Sequence, residues 1–121
     1  MTDITPSEIM RGMAEKNREL TSKNQELADL TEKAAANKRD YLVALTAQTT
    51  HLKIAGEKIT LIPALAKGEK RVADLGYAWD VSEGVLLSCR ERIKDIRSQI
   101  DSYRSLLTWL RAEMEMSGGP S

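Results

Sequence analysis

Any chemistry in this chain has to start from very few residues. His51 is its only histidine and Cys89 its only thiol, so a Cys–His nucleophile pair is the one such dyad the composition permits. Cys89 sits among regularly spaced aliphatic residues, where a cysteine behaves as a small, inert hydrophobe. Carboxylates such as Asp74, Asp80 and Glu83 lack the E-x-x-H partner from which helical bundles build metal sites. The sequence contains no glycine-rich phosphate loop, no Cys or His metal spacing and no G-x-S-x-G elbow. The reading is non-enzymatic, with no catalytic residue, no cofactor and no metal.

Charge is the remaining candidate. Arg90, Arg97, Arg104 and Arg111 recur every seven residues with Lys94 between them, and residues 90–111 carry six basic against three acidic side chains. Such a row can track phosphates, recognise an acidic partner, or flank a helix–helix contact. In the last case the stems cover apolar neighbours while the heads meet solvent or a carboxylate on the facing helix. Asp101 lies four residues after Arg97 and three before Arg104, within reach of local ion pairs. Flanking is the plainer role. Nucleic acid or an acidic partner at Arg90, Lys94, Arg97, Arg104 and Arg111 is the alternative.

A long helix must carry these arginines. The spacing predicts one from Glu69 to Met116, with a seam at Val72, Leu75, Trp79, Ser82, Leu86, Cys89, Ile93, Ile96, Ile100, Tyr103, Leu107, Leu110 and Met114. Gly76 and Gly84 fall outside that seam, each costing roughly 1 kcal/mol against alanine inside a helix. Trp109 lies on the outer side and could anchor another protein or meet a second copy.

A second long helix is expected from Pro6 to Ala55. Thr5 serves as N-cap, Pro6 takes the first position, and Glu8 completes a T-x-x-E capping box. Its seam, counted from Met10, reads Met10, Met13, Asn17, Leu20, Asn24, Leu27, Thr31, Ala34, Lys38, Tyr41, Leu45, Gln48, Leu52 and Ala55. Asn17 and Asn24 there are either buried amides that set register or signs of light burial. Between the helices, residues 56–68 hold Gly56, Pro63 and Gly68: a turn, one short helical turn from Pro63 to Lys67, and a stop. Residues 117–121 are expected to be a flexible tail.

The chain's 121 residues fit one domain. It has no Phe and few aromatics, so Leu, Ile, Val, Met and Ala must build the core, which suits helices. Eighteen basic residues balance eighteen acidic ones, so no global field draws it to nucleic acid or an anionic membrane. Apolar runs are too short to span a bilayer, and the first residues lack a signal peptide's pattern. One cysteine permits no intrachain disulfide, so a cytoplasmic setting is expected.

The expected fold class is therefore all-α: an antiparallel, coiled-coil-like hairpin of two helices, each on the order of 65–75 Å. One buried stripe per helix leaves Val81, Val85, Leu87, Leu106 and Trp109 needing cover. Pairing into a four-helix bundle or larger oligomer follows, with a dimer favoured. The expected interface comprises Trp79, Leu86, Ile93, Ile96, Ile100, Tyr103, Leu107, Trp109 and Leu110.

Residues 57–113 carry a Thr-containing apolar connector, an "AKG" ending, a D-x-x-E-G step (Asp80, Glu83, Gly84) and an I-x-x-x-R-x-x-I continuation. In these features the chain resembles small all-helical proteins from recombination and replication gene clusters of bacteriophages of Gram-positive bacteria. The resemblance implies the host cytoplasm, an unidentified phage or host protein as partner, and a role in phage DNA metabolism or in handling host defences. It brings no active site. The W-x-G turn of small secreted helical hairpins is absent, since Trp79 is followed by Asp80 and Val81.

Overall fold

The computed structural model describes residues 4–117, and these form three helices with no strand among them: α1 (Pro6–Ile54), α2 (Ile62–Gly68) and α3 (Lys70–Ser117). The protein is all-α, with two long helices. α1 starts as its sequence dictates. The Glu8 N–H donates to Thr5 Oγ1 at 3.2 Å and the Thr5 N–H to Glu8 Oε2 at 3.3 Å, so two otherwise orphaned donors satisfy each other's residues. It ends at Ile54, and two residues on the chain turns at Gly56, whose φ of +83° only glycine adopts without strain. Pro63 then falls in the first turn of α2, one residue after its start at Ile62, where a missing N–H costs nothing. Glu69, expected inside the second long helix, is extended instead, and its carboxylate accepts from the Val72 N–H at 2.9 Å to cap α3. Ser117, expected in the tail, is the last residue of α3, while residues 118–121 lie outside the described range.

The chain divides into two compact units. One joins the start of α1, through Glu26, to α3 from Cys89 onward. Here the Cys89 thiol donates to the Lys23 carbonyl across 66 residues of sequence, and Arg92 pairs with Glu19 across 73. Partners move apart in sequence toward the termini, so the two segments are antiparallel. The core is Ile9, Cys89, Ile93, Ile96 and Ile100, none more than 6% exposed.

The other unit spans Leu27–Ser88 and contains the chain reversal. Ala34, Ala44, Ile62, Ala66, Val72, Ser82 and Leu86 are buried in it. α2 contributes Ile62 and Ala66, which explains why the connector carries apolar residues at all. Tyr41 and Trp79 pack with ring centroids 5.5 Å apart, Lys38 Nζ stands 5.7 Å from the Trp79 ring, and Asn37 Nδ2 donates to the Ala78 carbonyl at 3.3 Å. Buried Ser82 satisfies its hydroxyl by donating to the Trp79 carbonyl.

The seam of α3 follows the expected positions from Val72 to Leu110, but Met114 is 63% exposed. Gly12 faces Tyr103, so the antiparallel register reaches the beginning of α1 near Leu110, and Met114 lies past the reach of α1 as described. On α1 the expected positions Met10, Asn17, Asn24, Thr31 and Lys38 are each displaced by one residue: they are exposed, while Ile9, Lys16, Lys23, Leu30 and Asn37 take the seam. Leu45 and Leu52 keep their expected places, with Ala44 buried beside Leu45, whereas Ala55, expected to close the helix, is exposed just past its end at Ile54. The buried-amide reading of Asn17 and Asn24 is overturned. Lys16 and Lys23 can occupy seam positions because their long stems lie along the apolar edge while the heads reach Glu19 and Glu26.

Candidate interaction surfaces

Two long helices pressed together have two flanks, and the flanks of the unit holding the arginines differ in charge. On one, Arg92 reaches across to Glu19, with Nε 3.0 Å from Oε1 and Nη2 also in contact. That hydrogen bond, first among several causes, holds the Glu19 carboxyl below its ordinary value of 4.5. On the other flank lie Arg97 and Arg104, beside Asn17 and Leu20 of α1 and Ile100 and Asp101 of their own helix, around a groove of about 280 Å³. The heptad continues this flank to Arg90 and Asn24. α1 offers amides here in place of carboxylates.

Arg104 binds Asp101 of its own helix at 3.4 Å and Lys94 binds Glu91 at 3.5 Å. Among the described residues, Arg90, Arg97 and Arg111 make no ion pair, and all five basic side chains are exposed. The arginine stems flank the seam at the expected heptad position, yet no carboxylate of the facing helix meets their heads. The row is thus a cationic ridge beside a shallow polar groove, suited to carboxylates or phosphates from outside the chain.

The expected interface residues separate into two groups. Leu86, Ile93, Ile96 and Ile100 are at most 5% exposed within the single chain, so they hold its own helices together. Trp79, Tyr103, Leu107 and Leu110 are half-buried along the same seam, and Trp79 Nε1 donates to Glu83 Oε1 at 3.1 Å. Only Trp109 stands clear, 58% exposed. Apolar surface instead lies off the seam. Tyr77, Val81 and Val85 are 72%, 47% and 44% exposed. They border a groove of about 310 Å³ completed by Leu30, Lys33, Asn37, Ala78 and Ser82. Val81 and Val85 stand out in the sequence as apolar residues off the heptad, whereas Tyr77 carries no such signal.

Cys89 is 6% exposed, with its thiol against the Lys23 carbonyl; His51 is exposed in the last turn of α1. Among the described residues, no three His, Cys, Asp or Glu side chains gather as metal ligands would, and no helix is long and apolar enough to cross a membrane. Compared with known protein families, curated proteins and solved structures, the chain matches none.

Proposed function

We propose that this chain is a non-enzymatic helical interaction protein that self-associates, most simply as a dimer, and docks on a protein partner. One observation carries the reading. On α3 the large apolar side chains Tyr77, Val81, Val85, Leu87 and Trp109 are 44–72% exposed, a concentration of open apolar surface of the kind that other proteins cover. The resemblance to phage recombination and replication proteins supports a setting in phage DNA metabolism or in countering host defence, in the host cytoplasm. Sedimentation velocity from micromolar to hundred-micromolar concentration tests self-association, and a chain that stays monomeric throughout refutes it. A pull-down from phage-infected cells, repeated with Trp109→Ala, tests partner docking.

A second reading, a nucleic-acid accessory module, draws support from the cationic ridge that α1 leaves unneutralised. Four arginine–phosphate contacts on single-stranded DNA would give log K a slope of about −3 against log salt, at roughly −0.7 per contact. Asn17→Glu, which places a carboxylate beside Arg97 and Arg104, should reduce that retention. If the parent retains no DNA at low salt, this reading falls.

A further inference from the structure

Three glycines lie inside the long helices: Gly12 in α1, and Gly76 and Gly84 in α3. Each weakens its helix by about 1 kcal/mol relative to alanine, so each calls for a reason. Two have the same reason. A Cβ on Gly12 would lie 2.7 Å from Cζ of Tyr103, and one on Gly76 would lie 3.0 Å from Cε1 of Tyr41. In both places a tyrosine ring from one long helix rests on the bare backbone of the other.

Gly84 has no such ring: nothing lies within 4 Å of where its Cβ would be. The chain has three tyrosines, and the third, Tyr77, is 72% exposed. Tyr77 and Gly84 stand seven residues apart on α3, hence on one face of that helix, with Val81 and Val85 beside them. A tyrosine without a glycine and a glycine without a tyrosine thus share one exposed, partly apolar surface.

We infer that a second copy of this chain completes both contacts. Two α3 helices crossing antiparallel about a two-fold axis near Asp80 and Val81 place Tyr77 of each copy on Gly84 of the other, with Val81 facing Val81 near the axis. The contact is isologous and closes after two copies. A parallel pairing would set Tyr77 against Tyr77 and leave both glycines uncovered. The exposed faces of Tyr77, Val81 and Val85 supply apolar surface toward the roughly 800 Å² that a stable interface takes from each partner. Zero net charge means that two copies meet without bulk repulsion.

This inference rests on the self-association proposed above and names its surface. The test uses the full chain with Cys89→Ser, to remove the native thiol. Val81→Cys should link to itself through a short bis-maleimide. Tyr77→Cys should link to Gly84→Cys when the two are mixed, but not to itself. Gly84→Leu, a better helix former, should keep full helicity yet move the monomer–dimer midpoint at least tenfold upward by sedimentation. A parent that dimerises while Gly84→Leu dimerises equally well, or while Val81→Cys does not link, overturns this surface and leaves self-association standing. A parent monomeric at a hundred micromolar overturns both.

Discussion

Leu86 and Leu87 are neighbours on α3 in the same unit, yet Leu86 is 5% exposed and Leu87 57%. Replacing either by alanine removes the same groups and changes helix propensity equally, so the difference between the two isolates burial. Three carbons at about 0.8 kcal/mol each give about 2.4 kcal/mol for a fully buried side chain. Leu86 keeps nearly all of that, and the space left behind raises its loss to about 3–4 kcal/mol. Leu87, with less than half its surface covered, should lose about 1 kcal/mol. Urea unfolding followed by far-ultraviolet circular dichroism, at equal dependence on denaturant, reads both. Losses within about 0.5 kcal/mol of each other would refute the seam and the antiparallel packing built on it.

Glu19 and Glu69 both sit below their ordinary 4.5, Glu19 chiefly through the Arg92 hydrogen bond and Glu69 chiefly through the Val72 N–H. A carboxylate whose folded value is the lower one contributes in full above its unfolded value and is lost as pH falls through the folded one. Stability should therefore decline below pH 4.5, and Glu19→Gln should shrink that decline in a circular dichroism titration. Lys23 is raised above 10.5, first by its hydrogen bond to Glu26, so its contribution holds below that value and fades only in stronger alkali. Cys89, buried in the seam, should react with a thiol reagent on the order of a hundredfold more slowly in the native protein than in urea. A native rate equal to the unfolded one would contradict its placement.

α3 was legible because aliphatic residues recur at nearly every seam position from Val72 to Leu110, leaving a single phase for the helix. α1 was half legible. Met13, Leu20, Leu27, Ala34 and Tyr41 define one edge of its stripe, but the other edge is chosen between pairs such as Lys16 and Asn17, or Lys23 and Asn24. Polarity alone favours the asparagines. Stem length decides for the lysines, because four methylenes can cover the seam while the charge escapes it. Pro63 and Gly68 mark α2 in the sequence as one short turn from Pro63 to Lys67, one residue shorter at each end than the helix observed. Its burial through Ile62 and Ala66 depends on packing that no local pattern encodes. The arginine row is visible as a row, but its want of carboxylate partners on α1 depends on which face of α1 it meets, and so on the phase that the polar seam conceals.

The pairing of Lys23 with Cys89 and of Glu19 with Arg92 sets an order of events during synthesis. The ribosome releases the first 26 residues long before anything from residue 89 onward exists to receive them. That stretch, with Lys16 and Lys23 in its seam, emerges without the isoleucines that will bury it, and waits through more than sixty further residues of elongation. Its lysines, glutamates and asparagines keep that segment hydrated during the wait.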